Sequence, residues 1–302
     1  MKHWKRALSL LLCVGALMSA LVLPAWAEES SDDSKPYLVL GQDLNADQLS
    51  TVLDLLGVEN KDTYQQDYNV YYTTNAEEHE HLDNYLSQSV IGTKAYSSIL
   101  LKKGEEGSGI HITTRNISYC TVEMYQNALI TAGVSDVELV VAGPTNISGT
   151  AALVSAMKAY SIMTGEELDD ASVDAANNEI VVTGELGDEI GDSDKAAELI
   201  AALKNELFAD GKDITEDDIN TAIDQISQEL GITISDSLRQ QIIDLMKKIA
   251  NSNFDVSALK EQAKDLFNQV SSLVDEISGG DPQGFFTRIW NQIVAFLQNL
   301  LG

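Results

Sequence analysis

The sequence predicts an α+β protein: a mixed sheet-and-helix domain first, a helical region after it, and an amphipathic helix at the C-terminus. Three observations carry that expectation. Residues 110–160 read as strand, helix, strand, helix in one short stretch. Beyond Gly191 apolar positions recur only at helical spacing, and residues 285–302 divide into one apolar and one polar stripe.

At the N-terminus, Lys2, Lys5 and Arg6 precede an uncharged apolar run from Ala7 to Leu23 and then Ala25-Trp26-Ala27. A basic start, an apolar centre and an A-x-A site make residues 1–27 a secretory signal peptide. A retained membrane anchor wants roughly 20 apolar residues, and this run is shorter. Leu12 precedes Cys13 where lipid attachment would want a small residue. Loss of the segment leaves 16 (19 less 3) Lys and Arg against 47 Asp and Glu, taking the net charge from −28 to −31. A chain so acidic repels nucleic acid and anionic lipid. It keeps Cys120 alone, so no intrachain disulfide can form and stability rests on packing. With 44% hydrophobic residues, one sizeable domain and a smaller one are expected.

Residues 28–36 are acidic and Ser-rich, a flexible leader to a first domain over 37–191. YLVL (37–40) is a short strand. Asn45 then caps a helix with Leu49, Val52, Leu53 and Leu56 on one face, ended by Gly57. YNVYYTT (68–74) returns to strand character, and Thr74 with Glu77 forms a capping box for the helix AEEHEHLDNYL. The runs 93–101 and IHITTRNIS (110–118) flank the glycine-rich KKGEEGSG and are expected to pair as an antiparallel hairpin. Thr121 caps the next helix, with Val122, Tyr125, Ala128, Leu129 and Ala132 at helical spacing and Gly133 as its left-handed stop. VELVVA (137–142) is nearly continuously apolar, as suits a strand covered on both faces. GPTNISG breaks it before the helix TAALVSAMKAY. LDDASVDAANN is helical, and EIVVTGELGDEIGD gives a short strand followed by Gly184, Gly187 and Gly191.

The helical region spans 192–278. DKAAELIAALKNELF ends before Gly211, Thr215 and Asp218 cap the next helix, and Ser235 opens another. Leu259, Ala263, Leu266, Val270, Leu273 and Ile277 alternate spacings of four and three, the seam of a bundle or coiled coil. A linker over 279–284 isolates the amphipathic helix 285–302, whose stripe holds Phe285, Phe286, Ile289, Trp290, Ile293, Val294, Leu297, Leu300 and Leu301. At roughly 1.5 kcal/mol per large side chain, leaving that stripe in water forfeits about 10 kcal/mol. It docks on the chain's own body, on a partner or second copy, or on a membrane surface, which the anionic body disfavours.

Each candidate constellation fails on a detail. GPTNISGT (143–150) follows a strand and opens a helix, but five residues separate Gly143 from Gly149 and Thr150 stands where a phosphate loop needs Lys. Ser155 and Lys158 have S-x-x-K spacing without the S-x-N and K-T-G partners, and Lys158 reads as a solvated helix residue. His79 and His81 lie two apart on a charged helix face, the wrong spacing for shared metal ligation. His111 stands alone in a strand. The acidic loop of Glu185, Asp188, Glu189, Asp192 and Asp194 lacks the order of a calcium loop. Asn116 and Asn146 match the glycosylation pattern. No residue is therefore assigned a catalytic, cofactor-binding or metal-ligating role, and no cofactor is implied.

The strings VLGQDLNADQ, IGTKAYSS, EEGSGIHITTRNISY, MYQNALITAGV, GPTNISGTAAL, KAYSIMTG and VVTGELGDEIG occur together and in order. In them the chain resembles the secreted Gram-positive family known as domain of unknown function 1002, the YpuA-like proteins, from about Tyr37 to Ile277. The resemblance implies a signal-bearing extracellular or cell-envelope protein and brings no activity, cofactor or active-site residue. The expected function is that of a non-enzymatic interaction or structural protein, secreted or envelope-associated, with an unknown protein or envelope partner for which the C-terminal helix is one candidate contact. An envelope hydrolase or other enzyme with an unrecognised site is the alternative.

Overall fold

Strand β1 (Tyr37–Gly41) is buried along its whole length, which requires cover on both faces of the sheet it belongs to. The computed structural model describes residues 34–208, 211 and 213–253 of the chain. The expected signal peptide 1–27, most of the expected leader 28–36, and the expected seam Leu259 to Ile277, linker 279–284 and amphipathic helix 285–302 lie outside them.

Helix α1 (Ala46–Leu55) starts at the Asn45 capping box, and a short α2 (Tyr64–Asp67) leads into β2 (Asn69–Thr73), parallel to β1. The Thr74–Glu77 box opens α3 (Asn75–Leu82), and α4 (Gln88–Ile91) precedes β3 (Ser98–Lys103). Then come β4 (Ile110–Ile117), α5 (Val122–Ala132) between its Thr121 cap and left-handed Gly133, and β5 (Val137–Ile147). Helices α6 (Thr150–Thr164), α7 (Asp170–Ile190), α8 (Ser193–Phe208), α9 (Glu216–Leu230) and α10 (Asp236–Asn251) complete the described chain. Among the described residues every strand precedes Gly191, the left-handed cap of α7, and only helices follow it.

The sheet is mixed, in the order β2-β1-β3-β5-β4, with only β3 running against its neighbours. One face presents Leu38, Leu40, Leu100 and Ala142 to Val52 and Leu53 of α1 and to Leu56, which caps it. The other presents Val39, Ile99, Leu101, Leu139 and Val141 to α5 and α6, and the same core continues through α7, α8, α9 and α10. The α+β expectation is met.

Two local expectations are overturned. Strands β3 and β4 do not form a hairpin, because β5 lies between them. The loop closes on the start of β5: Gly104 N donates to the Asp136 carbonyl at 2.6 Å, and Gly109 N to Asp136 Oδ1 at 2.9 Å. The most continuously apolar strand takes the interior position, where both its faces are covered, and the hairpin gives way to it. Nor is EIVVTGELGDEIGD a strand. It is the second half of α7, whose buried Ala175, Ala176, Glu179, Ile180, Thr183 and Leu186 keep helical spacing. Gly184 and Gly187 are not turn residues there. A Cβ on Gly184 would overlap the Tyr119 hydroxyl, and one on Gly187 would lie 2.8 Å from Ser193 Oγ. These glycines let other chain segments approach a helix closely.

Candidate functional site

The carboxyl ends of β1, β2 and β5 and the amino ends of α3 and α6 meet at one edge of the sheet, where open α/β sheets form binding crevices. Their junction is knitted by polar side chains. Thr73 Oγ1, at the end of β2, lies 2.8 Å from Ser155 Oγ of α6, which also donates to the Ala151 carbonyl at 2.9 Å. Lys158 Nζ bonds the Tyr72 carbonyl at 2.8 Å and pairs with Glu77 Oε1 at 2.5 Å. Lys158 thus bridges α6 to the β2–α3 turn and is not the solvated residue expected from sequence. Ser155 is fully buried and committed to this frame.

Residues 85–97 cross this edge as a strap. Leu86 and Ile91 are buried in the main core. At one end Tyr85 Oη donates to Asp174 of α7, and Lys248 Nζ of α10 reaches both, at 2.6 Å and 2.7 Å. At the other end Ala95 exchanges bonds with Asp43: its N donates to Oδ2 at 2.8 Å and its carbonyl accepts from Asp43 N at 3.2 Å. Between strap and sheet edge lies an open cleft of about 320 Å³. Gly92, Thr93, Lys94 and Ser97 form its strap wall. Glu78, Ser148 and Ala151 form the opposite one.

Glu78 is the unusual member, a carboxyl only 2% exposed. Its Oε1 accepts from Thr150 Oγ1 at 2.7 Å. Burial pushes its pKa up, and the Thr150 bond offsets this in part. Beside it, the His79 ring has its Nδ1 2.6 Å from Asp83 Oδ1 and its Nε2 3.1 Å from the Gly92 carbonyl. The Asp83 carboxylate raises the imidazole pKa. The face expected to be solvated thus contains a buried acid and a histidine bonded through both nitrogens. His81 shares neither contact, and among the described residues no group of three or more His, Cys, Asp and Glu is placed to hold a metal ion.

The remaining candidates are scattered. Residues 143–147 belong to β5, so only Ser148 and Gly149 separate strand from helix. Tyr125 Oη donates to the Gly149 carbonyl at 2.6 Å and occupies the space beside that turn. Glu185, Asp188 and Glu189 lie on α7 and not in a loop, and Glu189 accepts from Ser235 N and Oγ, each at 2.7 Å, beside the start of α10. His111 is exposed on the edge strand β4. Asn116 has a left-handed backbone at a register shift of β4, and its amide donates to the Gly143 carbonyl at 3.1 Å. Asn146 is exposed near the end of β5. Burial pushes the Cys120 thiol up to about 12, which keeps it protonated and inert.

Sequence reasoning missed Glu78 and a buried charge pair. Glu78 had a signal: it stands four residues before buried Leu82, on the stripe of α3 that faces inward. The pair, Lys204 with Glu179, joins α8 to α7 at 2.8 Å with both side chains fully buried, and has no local signature.

The family model for proteins of unknown function (DUF1002) matches residues 40–266 of this chain. Over 292 residues, covering 94% of this chain and 98% of the relative, it is 34% identical to the uncharacterized protein YpuA of Bacillus subtilis (strain 168). No solved structure matches it. None of the helices described is long and apolar enough to cross a membrane.

Proposed function

Given that this chain belongs to the DUF1002 family of proteins of unknown function, we propose that it is a secreted or cell-envelope-associated interaction protein that receives a small polar ligand, or the end of a partner chain, in the cleft beneath the strap. The observation that carries the reading is that cleft, at the carboxyl edge of the sheet, floored by the start of α6 and walled by Thr93, Lys94, Ser97 and Ser148. Its volume of about 320 Å³ suits a ligand the size of a dipeptide or a sugar. The signal-like residues 1–27 support export. Glu78, Ser148 and Thr150 bond one another along one wall, which favours a rigid recognition frame over a reaction centre.

The test uses the isotopically labelled chain and a defined panel of amino acids, dipeptides, sugars and organic phosphates. At least one member shifts the amide resonances of Thr93, Ser97 and Ser148, and Ser148→Trp, which fills the cleft, removes the response. If no member perturbs these amides, or if Ser148→Trp leaves the response intact, the reading fails. Cell fractionation must also find the protein outside the cytoplasm. An envelope enzyme is the second reading, favoured by Glu78, since a buried carboxyl of raised pKa suits a general acid. It requires turnover of a panel member that Glu78→Gln abolishes.

A further inference from the structure

Past the buried Ile91, the middle of the strap is bonded by a side chain of α3. Tyr85 fixes one end and Ala95 the other, while Gly92, at the end of α4, has a backbone conformation that favours glycine, with φ of +81°. Its carbonyl oxygen lies 3.1 Å from His79 Nε2, and the other ring nitrogen lies 2.6 Å from Asp83 Oδ1. Neither partner carries a proton to give: one is a carbonyl, the other a carboxylate. A neutral imidazole has one N–H and satisfies one of them; only the imidazolium satisfies both. The groups facing the ring are Glu78 of α3, Asp83 at its C-cap and the Gly92 carbonyl at the C-cap of α4.

We infer that His79 is a proton-operated latch on the cleft: protonated, it ties α3 to Gly92 and holds the strap wall in place, and on losing a proton it releases Gly92 to Lys94. This rests on the cleft being the recognition site and concerns how that site is opened. The proton that leaves is the one on Nε2, because the nearer, charged Asp83 retains the one on Nδ1. The Nε2 lone pair then faces the Gly92 oxygen, and an attraction becomes a repulsion. The sign follows from the direction of the shift. The folded pKa lies above the ordinary 6.5, so the latch is fully closed below that value and opens as pH rises through the raised one.

The test is made on the full-length chain without ligand, so its failure and that of the cleft reading are separable. Long-range nitrogen–carbon spectra report the charge state of His79, and hydrogen exchange reports protection of the Gly92 and Ala95 amides, which donate to the Gln88 carbonyl and to Asp43 Oδ2 at 2.8 Å each, from about pH 5 to about pH 9 and corrected for intrinsic rates. Both ring nitrogens carry protons at about pH 6, and protection falls about threefold to tenfold, the worth of one hydrogen bond, along the His79 titration. Protection in His79→Gln, whose amide has no such titration, does not follow that curve. A ring that is neutral at about pH 6, or protection unchanged through its titration, overturns the latch.

Discussion

Replacing Lys204 by Met removes a charge from the most completely enclosed ion pair in the described structure while keeping most of the side chain's volume. Lys204 Nζ has three hydrogens and three acceptors: Glu179 Oε1 at 2.8 Å, the Asn127 carbonyl at 2.9 Å and Thr131 Oγ1 at 3.1 Å. Thr131 Oγ1 in turn donates to Glu179 Oε2 at 2.5 Å. Burial lowers the Lys204 pKa, and Glu179 opposes that, so each charge is tolerated only because the other is present. Without the ammonium, Glu179 is left in a site with no exposed surface and one remaining donor. The expected cost is about 3–5 kcal/mol, a large part of a total stability of about 5–15 kcal/mol. With an m-value near the top of about 1–3 kcal/mol per molar urea, the midpoint falls by about 1–2 M. Adding Glu179→Gln removes the stranded charge and keeps an acceptor for Thr131, so the double variant recovers about 2 kcal/mol of the loss. Urea unfolding followed by circular dichroism measures all three variants. A loss below about 1 kcal/mol for Lys204→Met, or a double variant as unstable as the sum of the singles, refutes the claim that this pair is desolvated and mutually dependent.

Three further outcomes are expected. Glu78 holds its proton more tightly folded than unfolded, so the wild type loses stability as pH rises from the ordinary 4.5 toward the raised value. Glu78→Gln can still accept from Thr150 and removes that loss; its stability gains on wild type between acid and neutral pH, and parallel curves in urea melts would count against a buried acid. Gly184→Ala places a Cβ on the Tyr119 hydroxyl, and overpacking of about 1–3 kcal/mol outweighs the roughly 1 kcal/mol gain in helix propensity. Adding Tyr119→Leu restores the loss in thermal melts if the clash is its cause. Thr215→Ala breaks the capping box in which Thr215 Oγ1 accepts from Asp218 N at 3.2 Å and lowers stability by about 1 kcal/mol, whereas Thr215→Ser changes it little.

What the sequence determined by itself is what the chain settles within about one helical turn. Asn45, Thr74, Thr121, Thr215 and Ser235 each cap the helix they were expected to cap, because the bond runs to an N–H three residues on and needs no other part of the protein. The inward stripes of α1 and α5 and the two-sided burial of β5 were legible for the same reason: periodicity states which face must leave water. Tertiary structure decided the rest. Val181, Val182 and Gly184 look like a strand and its turn until Tyr119 and the α5 side of the core are in place. The β3–β4 hairpin was locally sound, and lost to a strand whose two apolar faces had to be covered at once. Glu78, His79 and Thr150 acquire their relation only when α3 and α6 start at the same edge of the sheet, and Lys204 and Glu179 only when α7 and α8 pack. Local hydrogen bonds form at little entropic cost and leave a signature in spacing; a buried charge is tolerated only beside a partner that the fold brings from far along the chain.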